Sequence, residues 1–190
     1  MATSETINNF LKPKGDYKNL VAYKKSECIY DMTCFFVEHY LPQYGDRTVD
    51  QMVQAARSGK QNIVEGNEAG TTSMETAIKL LNVAKASLKE LQEDYEDYLR
   101  THQMTLWDMN NPKLINARQW CRTHDKTEDF IRVCNSRDAE TVANIALIML
   151  HQTDYLLRKL IDKFKSDFLK NGGIREQMSS ARREWRDTHR

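Results

Sequence analysis

The sequence predicts an all-α protein: an up-down-up-down four-helix bundle with an inserted segment of short helices and a C-terminal extension. Long segments repeat apolar residues every three or four positions, which is typical of amphipathic helices. Strand-like alternation is not evident in the chain. Seven glycines and three prolines in 190 residues indicate few turns, because ordinary usage is about 7% and 5%.

The length and composition predict one domain with a sizeable core. We assign residues 1–170 to the bundle, with the insertion at about 102–135, and residues 171–190 to a basic C-terminal suffix. The longest uninterrupted apolar stretch, residues 145–150, is far shorter than the ~20 residues that cross a bilayer. With no signal peptide and no paired C-x-x-C spacing, we expect reduced cysteines and a cytoplasmic location.

The first helix is predicted from an N-cap at Asp16 to about Tyr40, because Pro42 prevents its continuation. Opposite its core face, Tyr23 and Tyr30 lie at heptad spacing. Aromatic side chains on a face that should be solvated indicate a candidate interface with another chain.

The second helix is predicted to begin at Asp46 or Thr48 and to end near Gly70. Away from its core face lie three polar residues that form either a solvated surface or a hydrogen-bonded seam between helices or subunits: Ser58, Asn62 and Glu65. Gly59 and Gly66 lie at the edge of the core arc. Because a glycine inside a helix costs about 1 kcal/mol relative to alanine, we expect another backbone to approach closely at both positions.

A Thr-x-x-Glu capping box at Thr72 and Glu75 predicts the start of the third helix. Its apolar face continues to Leu99. An acidic run off that face is interpreted as a solvated exterior: Glu90, Glu93, Asp94, Glu96 and Asp97.

Helical periodicity weakens over residues 102–135. Asn111-Pro112 predicts the start of a short helix that reaches Trp120, and a second short helix is predicted from Glu128 to Cys134. A segment this long between bundle helices either carries function or is a docked structural insertion. The sequence leaves both interpretations open.

Asp138 or Ser136 is predicted to cap the fourth long helix, which runs to about Lys170 before Gly172-Gly173. Beside its core face this helix carries a second stripe, as the first helix does: Asn144, Ile148, His151 and Tyr155. We therefore place four side chains at a candidate interface between chains: Tyr23, Tyr30, Ile148 and Tyr155.

No catalytic, cofactor-binding or metal-binding residues are predicted. The five histidines are scattered, and neither H-E-x-x-H nor the Glu-x-x-His pair of di-iron bundles occurs. A nucleophile elbow, a P-loop and a dinucleotide fingerprint are also absent from the sequence. An enzyme is therefore the least favoured of the function classes.

The formal charge of +1 does not name a partner. Nucleic acid is nevertheless a candidate partner, because two segments are locally basic: Lys12, Lys14, Lys18, Lys24 and Lys25 near the start, and Arg175, Arg182, Arg183 and Arg186 in the suffix. Trp185 among these arginines would permit base stacking with phosphate contacts, or docking on a neighbouring subunit. The alternative is that these basic residues are ordinary surface charges that keep the protein in solution.

The sequence RSGKQNIVEG at 57–66, a Gly/Ser break, and AKASLKEL at 84–91 together resemble a family of four-helix-bundle proteins. That family includes proteins encoded by intervening sequences of bacterial 23S ribosomal RNA and the accessory variability protein of diversity-generating retroelements. A later stretch that includes Val142, Tyr155 and NGGIREQM at 171–178 looks like the C-terminal suffix of a longer branch of the family.

The resemblance implies an up-down-up-down bundle and, because characterised members assemble as homopentameric barrels, a homopentamer. It implies no catalytic residues, and it adds Gly66 to Ser58, Asn62 and Glu65 as candidate structural or interface positions. The retroelement protein is strongly basic, whereas this chain carries +1. We therefore expect a non-enzymatic, oligomeric binding or scaffold protein, with a purely structural self-assembling bundle as the alternative.

Overall fold

A computed structural model describes residues 16–42 and 47–189, which form helices and their connections, without a strand. The all-α prediction is confirmed. After a 3-10 turn at Tyr17–Asn19, the helices in chain order are α1 (Val21–Tyr40), α2 (Arg47–Ala69), α3 (Met74–Thr101), α4 (Pro112–Thr123), α5 (Thr127–Cys134), α6 (Ala139–Asn171) and α7 (Ile174–Thr188). The predictions for Lys12, Lys14 and Asp46 fall outside the described residues.

Side-chain caps determine where several helices begin and end. Asp138 Oδ1 accepts the amide of Thr141 at the start of α6, and Asn111 Oδ1 accepts the amide of Lys113 at the start of α4. Both caps agree with the sequence prediction. At the end of α6, Gly172 has a φ of +69°, a left-handed conformation that glycine adopts without steric cost.

Two predicted helix starts are wrong. Asp16 caps the 3-10 turn by accepting the Lys18 amide, and α1 begins only after that turn. Ser73, not Thr72, caps α3 by accepting the Thr76 amide. The reason is that Thr72 still belongs to the turn that closes α2, where its hydroxyl donates to the Ala69 carbonyl.

The four long helices contact one another in a closed sequence of pairs: α1 with α2, α2 with α3, α3 with α6, and α6 with α1. Lys85 Nζ on α3 lies 3.7 Å from Asp154 on α6, and Trp107, just beyond α3, bonds Asn144 near the start of α6. These two helices therefore run antiparallel. The largest fully buried side chains lie between the four: Ile29, Met32, Phe36, Met52, Ile63, Leu81, Leu91, Leu99, Tyr95, Met149 and Phe164, with Phe130 of α5.

An aromatic cluster joins α1 to α3 inside this core. The Phe36 ring packs at 5.0 Å from the Tyr95 ring and 4.8 Å from the Tyr98 ring, both edge to face. The Tyr95 hydroxyl is 3.1 Å from Thr33 Oγ1, so this fully buried phenol has a hydrogen-bond partner. Burial raises the pKa of Tyr95 well above its ordinary value.

The segment between α3 and α6 packs on the long helices, with α4 against α6 and α5 against α1. By contrast, α7 has no buried residue. Within residues 16–42 and 47–189, none of the helices is long and apolar enough to cross a membrane.

Candidate functional site

The two halves of the family-like motif meet across the α2–α3 seam, which we define by Ser58, Gly59 and Gly66 on α2 and by Leu81, Ser87 and Leu88 on α3. Ser58 Oγ lies 2.9 Å from the buried Ser87 Oγ. Asn62 Nδ2 donates to the Ser58 carbonyl at 2.9 Å and to Ser58 Oγ at 3.3 Å. Asn62 thus supports the residue that bonds across the seam.

The glycines of the seam make room for leucine side chains. A Cβ at Gly59 would lie 2.5 Å from Leu88 Cδ2, and one at Gly66 would lie 3.0 Å from Leu81 Cγ. The nearest backbone atoms of α3 are farther away, the carbonyl oxygens of Ala84 at 3.6 Å and Ala77 at 3.3 Å. The α3 backbone therefore approaches both glycines as expected, and the leucine side chains come closer still.

Glu65 does not belong to this seam. Its side chain is exposed, and α2 holds it on the solvent side, although it is only three residues from Asn62. Of the three polar positions predicted on this face, the structure brings Ser58 and Asn62 together and leaves Glu65 apart.

The four side chains predicted at an interface between chains, Tyr23, Tyr30, Ile148 and Tyr155, differ in how far the structure buries them. Tyr23 and Tyr30 are half-buried against the chain's own core, and Lys60 Nζ lies 4.2 Å from the Tyr30 ring centroid. Ile148 is only 4% exposed, so the expectation that it faces another chain is corrected. Tyr155, at 56% exposed, is the member with most surface left.

The insertion buries the first part of the second stripe of α6, at Asn144 and Ile148, and leaves His151 and Tyr155 exposed. Asn144 accepts the Trp107 amide at 2.8 Å and donates to the Thr105 carbonyl at 2.9 Å. Two turns later Gln152 Nε2 donates to the Arg118 carbonyl at 3.1 Å. Because residues 144, 148 and 152 share one helix face, the insertion covers this part of the face within the same chain.

The assignment of Lys25 to a basic surface is corrected, because the structure buries this lysine where it fastens the insertion to α1. Lys25 is 4% exposed, and its Nζ donates to the Cys121 carbonyl at 2.5 Å, in the last turn of α4. A cation is favourable at the C-terminal end of a helix, where carbonyl groups lack partners. Burial lowers the pKa of Lys25 and raises the pKa of Cys121 to about 12 and of Cys28 to about 11.

Four of the five histidines have a structural role at helix C-termini. Each stacks on an aromatic ring four residues earlier, at centroid distances of 3.9 to 4.5 Å, and places Nδ1 2.8 to 2.9 Å from that residue's carbonyl: His39 on Phe35, His102 on Tyr98, His124 on Trp120 and His189 on Trp185. The sequence signal was present as aromatic-x-x-x-His. In this motif each histidine contributes to the cap of its own helix.

The α7 helix presents an apolar stripe to solvent. At 100° per residue, four residues fall within roughly 60° of one another: Ile174, Met178, Ala181 and Trp185. Met178 is 51% exposed and Trp185 is 49% exposed. Arg175, Arg182 and Arg186 flank the stripe on one side, while Arg183 points away from it.

A second surface, on α3, is negatively charged, whereas the stripe of α7 is apolar and flanked by arginines. We define this α3 acidic face by Glu90, Glu93, Asp94 and Asp97. Burial, and then the charges of Asp97, Glu90 and Glu93, raise the pKa of Asp94. Lys89 lies 3.8 Å from Glu93 and Arg100 lies 2.8 Å from Asp97. These exposed pairs leave an excess of negative charge on the face.

In the part of the chain that the structure describes, no three His, Cys, Asp or Glu side chains are grouped so that they could hold a metal ion. Comparison of the chain with protein-family models, with curated proteins and with solved structures finds no match in any of the three.

Proposed function

We propose that this chain is a non-enzymatic, self-assembling binding or scaffold protein, in which α7 of one copy docks on the α3 acidic face of the next. The observation that carries the proposal is the exposed apolar stripe of α7, with Met178 and Trp185 about half exposed. A helix with one apolar face gains stability mainly by covering that face.

The proposal includes an up-down-up-down four-helix bundle formed by α1, α2, α3 and α6. Its support is the closed sequence of helix pairs and the antiparallel course of α3 and α6. The pairing of both motif halves across the α2–α3 seam also supports membership of the family that the sequence resembles, because the shared residues then specify helix packing.

Charge complementarity favours α3 as the surface that receives α7. Arg175, Arg182 and Arg186 lie beside the stripe on α7. On α3, the exposed Val83 and Ala86 precede Glu90 on the same side of the helix. In the docked arrangement the stripe would contact Val83, which covers apolar surface on both helices. The arginines of α7 would lie beside the carboxylates of α3 and pair with them.

The α7 of the same chain is too short to reach this acidic face. We measure along the helix axes from the Lys85–Asp154 pair, at 1.5 Å per residue. Gly172 lies about 27 Å along α6 from this pair. Glu90 lies about 7 Å along α3 in the opposite direction. The helix from Ile174 to Arg186 spans only about 18 Å. Contact between these surfaces therefore requires a second copy.

Docking one surface on a different surface of the next copy is a head-to-tail arrangement, which closes into a ring when the rotation allows. The family resemblance supports a ring of five. Tyr155, exposed on the same face of α6 about one turn beyond the part that the insertion covers, is the remaining candidate for a further contact within such an assembly.

Nucleic acid is the competing occupant of α7. The described α7 carries four arginines against Glu176, Glu184 and Asp187, which leaves only one excess positive charge. Because polyanion binding depends on the number of phosphates neutralised, this balance favours a mixed-charge protein surface over RNA or DNA.

The test is the mass of the nuclease-treated full chain at micromolar concentration by light scattering. We expect an oligomer of the 22.2 kDa chain, and loss of it in Met178→Glu, because a carboxylate would enter the stripe. Ser180→Glu makes the same charge change on the side of α7 away from the stripe and from Arg175, Arg182 and Arg186, and should keep the mass. A monomeric wild type, or an unchanged mass in Met178→Glu, contradicts the proposal, as does an oligomer that forms only with nucleic acid.

A further inference from the structure

An open cleft of about 590 Å³ lies where α4, α5 and the start of α6 meet the loop after α3. Two tryptophans, Trp107 and Trp120, line it together with Ala117, Val133 and Ile145. This volume is in the range of roughly 300–1,000 Å³ that small-molecule sites occupy. It lies on the insertion and is separate from the surfaces of the proposed assembly.

Trp107, which lines the cleft, carries a buried donor without an acceptor. Trp107 is 6% exposed, and its Nε1 has no hydrogen-bond partner among the described residues. The backbone amide of Trp107 donates to Asn144 Oδ1 at 2.8 Å, which holds the residue in place. A buried indole N–H usually has an acceptor, so a bound group that reached Trp107 Nε1 would supply the missing one.

Two cations line the same cleft. Lys113 Nζ lies 5.6 Å from the Trp107 ring centroid, and Arg137, at the turn before α6, also lines the cleft. Neither side chain forms an ion pair with a carboxylate of the described residues. An oxyanion would supply the acceptor for Trp107 and the counter-charge for Lys113 and Arg137.

One carboxylate, Asp138, also lines the cleft. Its Oδ1 accepts the Thr141 amide at 2.8 Å, and this hydrogen bonding lowers the pKa of Asp138. Asp138 thereby caps the N-terminus of α6, and the donors that we consider for an anion are side chains. Two cations against one acid leave the cleft net positive.

We propose that the cleft binds a small organic anion with a flat apolar body. Trp107 Nε1, Lys113 and Arg137 hold its carboxylate or phosphate, while its body packs against Trp120 and Ile145. Binding depends on both parts of the ligand. Its negative charge pairs with the two cations, and its apolar surface packs against the tryptophan wall.

Calorimetric titration of the full chain tests this with four probes: 1-naphthoate, 1-naphthyl phosphate, the neutral 1-naphthamide and inorganic phosphate. We expect saturable binding of at least one naphthyl anion, at least about tenfold tighter than naphthamide or inorganic phosphate. The preferred naphthyl anion decides between carboxylate and phosphate. Equal affinity for naphthamide, or no saturation by either anion at millimolar concentration, overturns the proposal.

Substitutions of the cleft cations and an NMR measurement on the Trp107 indole N–H complete the test. Lys113→Met and Arg137→Met should each weaken binding about tenfold, whereas Arg122→Met, exposed on α4 outside the cleft, should not. In NMR spectra the indole N–H resonance of Trp107, assigned with Trp107→Phe, should move downfield at saturation, and that of Trp185 should stay. An unmoved Trp107 resonance, or wild-type affinity in both cleft variants, contradicts the assignment.

Discussion

Leu88 occupies the space beside Gly59 in which a side chain on α2 would otherwise lie. A Cβ at Gly59 would be 2.5 Å from Leu88 Cδ2 and 2.7 Å from Leu88 Cγ. Leu88 is buried, so its side chain has little free space to move into. The close packing of α2 on α3 therefore depends on the missing side chain at position 59.

Gly59→Ala should destabilise the fold by up to about 2 kcal/mol, because overpacking typically costs 1–3 kcal/mol while alanine regains about 1 kcal/mol of helix propensity. Gly66→Ala should be nearly neutral, since its Cβ would lie 3.0 Å from Leu81 Cγ. Urea unfolding followed by circular dichroism measures both. Adding Leu88→Ala to Gly59→Ala should cost less than the two single changes summed, and a Gly59→Ala midpoint at or above wild type contradicts this account.

The Ser58–Ser87 hydrogen bond should contribute about 1 kcal/mol to the free energy of unfolding. Ser58→Ala leaves the buried Ser87 hydroxyl without its partner across the seam, so each single variant should lose about that amount. The double variant should show a coupling of about 0.5–1 kcal/mol. Glu65→Ala, on the exposed side of α2, is the control and should change stability by less than about 0.5 kcal/mol. Strict additivity of the two serine variants would count against the bond.

Lys25 should give the protein a distinctive stability profile at alkaline pH. Its pKa is lowered in the folded state by burial, so between that value and 10.5 the unfolded chain binds more protons and stability rises with pH. Compared with Lys25→Met, wild type should therefore gain free energy of unfolding over this interval, by about 1.4 kcal/mol per unit of pKa displacement. Unfolding curves at several pH values measure the difference, and a difference independent of pH would exclude a buried, shifted lysine.

One cysteine of four should react with a thiol reagent in the native state. Cys34 is half-buried, whereas Cys28, Cys121 and Cys134 are buried. Burial also raises the pKa of Cys134 to about 12, which keeps it protonated as well as shielded. Cys34→Ser should abolish the native reaction, and urea should release the other three thiols. Two or more rapid reactions in the folded protein would contradict this burial.

The helices and several caps could be predicted from the sequence because they depend on local signals. The periodic apolar residues of α3 and the Asn111 and Asp138 caps act through neighbours three or four residues away. The sequence misplaces the start of α3 because the Thr-x-x-Glu pattern favours Thr72 over Ser73, whereas Thr72 belongs to the turn that closes α2.

The candidate site was harder to predict because a helical wheel shows that a face is covered without showing what covers it. Ile148 and Asn144 have the pattern of an interface between chains, yet the chain's own insertion covers them. Lys25 lies among lysines that the sequence presents as a basic surface. Its burial depends on the Cys121 carbonyl, 96 residues away, and no local pattern reports such a contact.

A charge-swap complementation measures the central claim most directly. Arg182→Glu with Arg186→Glu makes α7 acidic, and Glu90→Lys with Glu93→Lys makes the α3 face basic, so each double variant alone should be a monomer by light scattering. Combined in one chain, the four changes should restore assembly to the wild-type mass, because every α7 then meets a face of opposite charge whatever the number of copies in the ring. Assembly of either double variant alone, or a combined variant that stays monomeric, would contradict docking of α7 on the α3 acidic face.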